Sequence, residues 1–568
     1  MLRDPLPKAL RGMGVASGWM PGSTADLLSC SVLINVLSLA MPLALLQVYD
    51  RIIPNTATST LALLMTGVIT ALVLEVLLRM GRDYLNGWKG AQMEHGLSCA
   101  AVQHLLRAEL EELEHDGAGV HLNRLQALSA LREFYAGQAI VILCDLPFSI
   151  LFLCAVGYLA GTLVLVPIAI MIVFVVAALI VGNRLRASLA ERMNADDRRL
   201  NFIVEVLQGV HTVKSLAVEN LMLRRYERLQ ESAAAHQHDV AQHSASALGV
   251  GVLFSQLTLF GVVGLGAIIA MNGGLTVGGL AACTLLSSRA MQPLQRAVGI
   301  WTRFQKVRLA RARIAKIFAL QQENRNAGAA PAKLTGAIEL RDVSFRYPGA
   351  EQDVIAGATI SIEPGETIAV LGGNASGTTT LLFLMMGLLR PRAGTVLIDG
   401  FDMASIEPAL VRGQIAYLPQ HVTLFDGTIA DNITMFRPEL AARVREVAER
   451  VGLDDPVAHM PLGYGTRIGY GADDQLPRGI RQQIGFARAL INDPVMLLFD
   501  KANMGLDRRH DELLRRLLEK LKGEIVQVLV THRPSFVALA DRVFELNNGV
   551  LSPREQQPAA KFALRAGA

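Results

Sequence analysis

TIAVLGGNASGTTTLLFLMMGLL, residues 367–389, passes from a short β-branched run through a glycine-containing turn into an apolar helical stretch. Strand, turn and helix in that order are the setting in which backbone N–H groups and a helix amino terminus cradle phosphate. The usual spacing is G-x-x-x-x-G-K-[ST]. Gly372 and Gly377 keep the glycines and Thr379 the magnesium-binding hydroxyl, whereas Thr378 stands at the lysine position. Alone, the match is weak. Around it lie further β-branched runs, IELRDVSF (338–345), VMLLFD (495–500) and IVQVLV (525–530), alternating with helical stretches. That alternation predicts an α/β domain after residue 335.

Ahead of this domain the chain is far more apolar. The whole has 568 residues, 51% of them hydrophobic and only 18% charged, with a mean hydropathy of +0.35. Such a length exceeds one compact domain, and such a composition excludes both a disordered polymer and an ordinary soluble enzyme. The net charge of +4 is too small to argue for nucleic acid. Five scattered cysteines without a C-x-x-C pair suggest neither a disulfide framework nor a zinc site; they read as small apolar fillers.

The stretch Asn326-Ala-Gly-Ala-Ala-Pro-Ala-Lys333 separates the two halves. Before it, six segments approach the length needed to cross a bilayer: 27–48, 60–80, 138–158, 162–183, 247–271 and 276–295. The connections 81–137 and 184–246 are long and rich in Arg, Lys and Glu, which places them, and the amino terminus, in the cytoplasm. Helical spacing persists through them, as in LNFIVEVLQGVHTVKSLAVENLMLRRYERL from Leu200, so the membrane helices are expected to run on past the bilayer. The first 25 residues lack the apolar core of a cleavable signal.

An ionisable group in lipid costs at least about 2.5–3.5 kcal/mol, so each one within a span needs a partner or a purpose. Glu75 and Arg79, four apart on one helical face, are expected to pair. Asp145, next to Leu146-Pro147, either lines a polar path or binds a neighbouring helix beside a proline kink. Gly249, Gly251, Gly261, Gly264 and Gly266 in the fifth span read as close helix packing.

Downstream of the phosphate loop come YLPQHVTLFDGTIADNI (417–433), LPRGIRQQIGFARAL (476–490), VMLLFDKANMGLD (495–507) and VLVTHRPS (528–535), with FRYPG (345–349) upstream. In order and spacing these resemble an ABC exporter over nearly the whole chain. LLQVYDRIIPNTATSTLALL (45–64) and FYAGQAIVILCDLPFSILFL (134–153) resemble the permease/ATPase subunits of bacterial type I secretion systems. The resemblance implies an α-helical six-span transmembrane domain of exporter type followed by an α/β P-loop ABC ATPase domain; because the first span starts within about 30 residues, no additional amino-terminal peptidase-like domain is expected. The expected division is 1–25 cytoplasmic segment, 26–325 transmembrane domain, 326–334 linker, 335–552 nucleotide-binding domain and 553–568 tail. It further implies a multi-pass protein of the bacterial inner membrane, its nucleotide-binding domain cytoplasmic, using ATP and Mg2+.

Carried over residue by residue, the resemblance implies that Tyr347 stacks on adenine, with plain packing as the other reading. Gly372, Asn374, Ser376, Gly377, Thr378, Thr379 and Thr380 would line the ATP phosphates, and Thr379, Gln420 and Asp500 would hold Mg2+. Gln420 would also sense the membrane domain. Asp500, His532 and Gln420 would form the catalytic set, His532 as the γ-phosphate switch and Asp507 as the D-loop residue.

Four departures accompany these matches. Thr378 replaces a lysine whose charge-assisted hydrogen bonds contribute about 1.5–3 kcal/mol. Ala375 replaces a glycine. Lys501 occupies the position of the catalytic glutamate, and a misplaced general base typically costs roughly 10²–10⁴ in rate. The signature L-S-G-G-Q becomes Leu476-Pro477-Arg478-Gly479-Ile480. The resemblance implies a dimer with each ATP between one chain's phosphate loop and the other's signature, so a homodimer would contain two doubly altered sites. Pairing with an intact sister subunit is the expected reading, with periplasmic adaptor and outer-membrane channel as further partners and a polypeptide as cargo. An active homodimeric exporter and a non-transporting nucleotide-binding scaffold are the alternatives.

Overall fold

The structure, a computed structural model, describes residues 22–135, 138–323, 333–373, 375–469, 476–503 and 506–554. Segment 1–21, linker residues 326–332, the tail from 555 and the expected phosphate ligand Asn374 lie outside the described residues. Two compact units divide the chain: Met1–Leu106 with Ala118–Ala319, and Arg107–Gly117 with Leu320–Ala568.

The first unit is helical: α1 (Gly22–Leu37), α2 (Ala40–Gln47), α3 (Thr58–Leu106), most of α4 (Leu110–Tyr135), α5 (Gln138–Asp145), α6 (Phe148–Ala160), α7 (Leu165–Gln208), α8 (Val210–Ser215), α9 (Glu219–Met271) and α10 (Val277–Ala319). At 1.5 Å per residue the 44-residue α7 is about 66 Å long, twice the roughly 30 Å of a hydrocarbon core. The expected extension of the membrane helices is therefore present, and the chain reverses through α8 between α7 and α9. Leu185 and Leu189 of α7 pack on Val240 of α9 along that hairpin.

Among the described residues, four helical runs are long and apolar enough to cross a membrane: Asp26–Ile52, Thr58–Leu106, Phe148–Gln208 and Glu219–Met271. Each expected span but the sixth falls at least partly within one of them. The expected third span is not one helix. It stops at Asp145 and restarts at Phe148, because Pro147 has no N–H to continue the ladder and its ring crowds the preceding turn. The third and fourth expected spans share one run, with Gly161 (φ 53°) making the turn between α6 and α7. The sixth lies on α10, where Ser287, Ser288, Arg289 and Gln292 dilute the apolar stretch. Ser287 is buried in protein beside Ala282, Cys283, Leu286 and Ala290, whereas Ser288 and Arg289 are half-buried and Gln292 is exposed.

Close packing accounts for part of the glycine row. A Cβ on Gly261 would lie 2.9 Å from Val166 Cγ1, and one on Gly266 would collide with Leu280, whereas nothing lies near Gly249 or Gly264. Of the cysteines, Cys283 is a buried filler, while Cys99 and Cys154 are exposed.

Glu75 pairs with Arg79 as expected, at 2.6 Å, and Arg289 of α10 approaches the same oxygen at 3.8 Å. Asp145 binds neighbouring helices. Its Oδ1 accepts from Arg82 Nη1 of α3 at 3.1 Å and from Asn35 Nδ2 of α1 at 3.3 Å, and Arg82 Nη1 also donates to Ser31 Oγ at 2.9 Å. All four residues are buried. At the far end, Asp50 accepts from Thr276 Oγ1 (2.5 Å) and from Gly278 N–H (2.9 Å), capping α10 from another segment.

The second unit holds a four-stranded antiparallel sheet and a six-stranded, mostly parallel one. The first has the order β2 (Ile355–Ile362), β1 (Ile338–Phe345), β4 (Ala393–Ile398), β5 (Phe401–Asp402). β7 (Gly427–Thr428) and β8 (Arg467–Ile468) form a separate two-stranded ladder. The larger sheet runs β12 (Val550–Arg554), β11 (Arg542–Asn547), β3 (Thr367–Leu371), β10 (Val526–Val530), β9 (Met496–Asp500), β6 (Ile415–Leu418). β3, β9 and β10 are buried on both faces, which is why they read as continuous apolar runs and not as alternating ones. Arg107–Gly117 belongs to this unit, where Glu109 pairs with Arg390 at 2.8 Å.

Candidate functional site

In an open α/β sheet, ligands bind beyond the carboxyl ends of parallel strands. β3, β10, β9 and β6 are consecutive neighbours, all parallel, and the turns after them carry Gly372–Gly377, His532, Lys501 and Gln420 respectively. Residues spread over more than 150 positions of sequence are thereby gathered at one sheet edge.

The phosphate loop leads into helix α11 (Thr378–Met385). Gly377, its N-cap, has φ 93°, and a Cβ there would lie 2.8 Å from Val354 Cγ1. Gly372 has no room for a Cβ either, since it would collide with Ser376 Oγ and lie 2.8 Å from Thr378 Cγ2. Ala375 has φ 60°, a region that glycine enters freely and an L-residue at a cost of about 1–2 kcal/mol, so an alanine at the position where the family pattern has glycine carries a conformational cost as well as an added methyl. Ser376 Oγ is buried without a hydrogen-bond partner. An orphaned hydroxyl inside a glycine-walled loop at a helix amino terminus fits an anionic phosphate. Thr378 is only 3% exposed, turned into the protein where a lysine would need to reach out.

Thr379 Oγ1 donates to Asp500 Oδ2 at 2.7 Å, which brings together two of the residues expected to hold Mg2+. Hydroxyl and carboxylate oxygens suit that hard cation. The same Oδ2 accepts from Tyr417 Oη at 3.2 Å, a residue the motif reading passed over although it lies in the quoted YLPQ. Burial and the Asp500 carboxylate push the Tyr417 phenol well above its ordinary range, so it stays a donor. Tyr347 Oη lies 3.1 Å from Thr380 Oγ1, and its ring meets Phe345 edge-on. Lys501 has φ 49°, and its N–H donates to Val530 O at 2.9 Å. Among the described residues its ammonium has no hydrogen bond or ion pair. His532 is exposed, and Gln420 is half-buried.

The residues expected to be the signature and the D-loop form a second group. Helix α12 (Arg478–Leu490) starts at the altered signature with Pro477 as its N-cap, which leaves the cap without a side-chain bond. The serine of the usual motif would stand there. Pro477→Ser is therefore expected to gain up to about 1 kcal/mol by capping α12, read as a higher thermal unfolding midpoint. Gly479 lies beside His510, whose Nδ1 contacts Asp507 Oδ1 at 2.7 Å. Asp507 is also the N-cap of α13 (Arg508–Leu521), and the His510 backbone N–H and ring hold its carboxyl below the usual range. Asp511 joins the two groups, pairing at 2.5 Å with Arg533 beside His532 and accepting from Asn503 at 3.4 Å.

Another residue the motifs did not single out is Arg488. It donates to the carbonyls of Asn432 (2.9 Å) and Thr423 (3.0 Å) and sits over the Phe425 ring, so it holds the segment that follows Gln420. Burial pushes its pKa down.

Two family models match, the ABC transporter transmembrane region over residues 27–294 and the ABC transporter over residues 355–503. The chain is 32% identical to the cyclolysin secretion/processing ATP-binding protein CyaB of Bordetella pertussis, over 92% of this chain and 74% of that one. It is 27% identical to the alpha-hemolysin translocation ATP-binding protein HlyB of Escherichia coli, over 93% and 75%. A solved bacterial Atm1-family ABC exporter with ATP bound shares the fold, with a TM-score of 0.84 at 20% identity, covering 93% of this chain and 95% of that one. The chain thus belongs to the ABC exporters of the type I secretion family, multi-pass proteins of the bacterial inner membrane whose ATP-binding domain is cytoplasmic.

Proposed function

We propose that this chain is a type I secretion exporter subunit that holds ATP and Mg2+ with weak or absent hydrolysis and works beside a catalytically intact sister subunit. Lys501 carries the reading. It follows Asp500 directly, where a water-polarising carboxylate would stand, and it has no internal counter-ion among the described residues. A cation cannot act as a general base unless it loses its proton. It can compensate the lysine missing at Thr378, since a charge about 4 Å from phosphate is worth roughly 4 kcal/mol at an effective dielectric of 20.

The supporting features are an orphaned Ser376 hydroxyl within the phosphate loop and the Thr379–Asp500 pair, which keep a nucleotide site while the hydrolytic group is replaced. Mg2+ held there would neutralise charge on the phosphate oxygens. Tyr347 would receive the adenine, His532 would face the γ-phosphate, and Gln420 would add a metal-side contact. Across a dimer the sister's phosphate loop would meet Leu476–Ile480 of this chain, with Arg478 at the start of α12 as the replacement cation. The cargo would be a polypeptide, as the secretion and translocation in the relatives' names suggest, and a periplasmic adaptor and an outer-membrane channel would pass it on.

The test is ATP binding and magnesium-dependent hydrolysis on the same purified samples, this chain alone and with any co-purifying sister subunit. Binding without turnover alone, and turnover in the mixed complex, is the expected result. Robust turnover by the chain alone would overturn the reading in favour of an active homodimeric exporter. Binding alone with no partner and no export defect on deletion would favour a scaffold.

A further inference from the structure

We infer that Tyr417 is a positioning residue for the divalent cation, its hydroxyl holding Asp500 aimed at the phosphate loop. The inference rests on the nucleotide-binding reading proposed above. β6 and β9 are parallel neighbours with Tyr417 opposite Leu498, and Asp500 lies two residues further along β9 on the same face as Leu498. Two strand residues advance about 6.6 Å, a gap that a phenol bridges and a shorter hydroxyl side chain does not. Phe383 of α11 meets the Tyr417 ring edge-on, with centroids 5.7 Å apart, so the helix that follows the phosphate loop also fixes this phenol.

Asp500 is only 5% exposed, and its Oδ2 has two side-chain donors among the described residues, Thr379 at 2.7 Å and Tyr417 at 3.2 Å. Thr379 belongs to the phosphate loop and is itself a ligand candidate, so its oxygen must serve the cation. Tyr417 is the donor that keeps its partner when the cation arrives. Carboxylate ligands depend on such outer hydrogen bonds for their orientation, and removing one typically costs about 10–100-fold in metal affinity. Tyr417 itself touches neither nucleotide nor cation in this arrangement; it acts through Asp500.

The experiment titrates Mn2+ into the full-length detergent-purified protein in the presence of a non-hydrolysable ATP analogue and follows bound Mn2+ by electron paramagnetic resonance. Tyr417→Phe keeps the ring and its contact with Phe383 and removes only the hydroxyl. Half-saturation is expected to move to about 10-fold higher Mn2+ or more, while binding of the analogue without metal is unchanged. Coincident Mn2+ curves for the two proteins, with metal-dependent binding present in both, would overturn the inference and leave the nucleotide reading standing. Absence of any analogue-dependent Mn2+ signal in the unsubstituted protein would remove that reading and the inference together.

Discussion

Thr378→Lys combined with Lys501→Glu is expected to raise the magnesium-dependent ATPase rate of the purified chain by roughly 10²–10⁴-fold, the range that a positioned general base supplies. The two substitutions have to be made together. Lys501→Glu alone places a carboxylate near the phosphates with no cation at either position, so nucleotide affinity falls before any gain in chemistry appears. Thr378→Lys alone leaves two cations and no base, which favours retention of ATP without turnover. The double variant restores one cation and one base around the Thr379–Asp500 pair, which is already assembled at 2.7 Å. Phosphate release and nucleotide retention, measured on all four proteins, separate these cases. A double variant that retains ATP and stays silent would place the defect in the signature at Pro477, Arg478 and Ile480 or in the strained Ala375.

Asp145→Ala is expected to destabilise the membrane unit by about 3–5 kcal/mol, because it leaves the Arg82 guanidinium buried without its counter-ion. Arg82 is 4% exposed and Asp145 7%, so water cannot take over the lost contact. The Nε of Arg82 is already buried without a hydrogen-bond partner, and the Asp145 carboxylate is its one ion pair among the described residues. Replacing both charges, as Arg82→Met with Asp145→Leu, is expected to recover most of the loss, since a buried ion pair and an apolar pair of similar volume are often comparable. Thermal unfolding in detergent, followed by intrinsic fluorescence, reads both variants. Equal midpoints for Asp145→Ala and the parent would mean that the network joining α1, α3 and α5 contributes nothing to stability.

Three strand candidates of the ATP-binding domain, β3, β9 and β10, were legible because a strand buried on both faces is apolar nearly throughout, and β1 because apolar residues recur along its one buried face. IELRDVSF, TIAVL, MLLFD and VQVLV all became strands within a residue or so of their expected limits. β5, β7 and β8 are two residues each and carry too few side chains to print a period. The sixth expected span marks the limit of hydropathy: Ser287, Ser288, Arg289 and Gln292 interrupt the apolar stretch of α10, and of these Ser287 is buried in protein. Tyr417 and Arg488 escaped for a related reason, since their partners, Asp500 and the Asn432 and Thr423 carbonyls, lie more than 50 residues away.

By itself the sequence determined the class of the protein and its two-part order, and it set Thr378, Lys501 and Pro477-Arg478 at positions where the family pattern has other residues. Those are matters of residue type and local spacing, set by backbone geometry within a few residues. Tertiary structure decided that Asp145 meets Arg82 and Asn35 and that Tyr417 shares Asp500 with Thr379. Each depends on which distant segments pack side by side, and hydrogen bonds act only within about 3 Å, a proximity that no local pattern encodes.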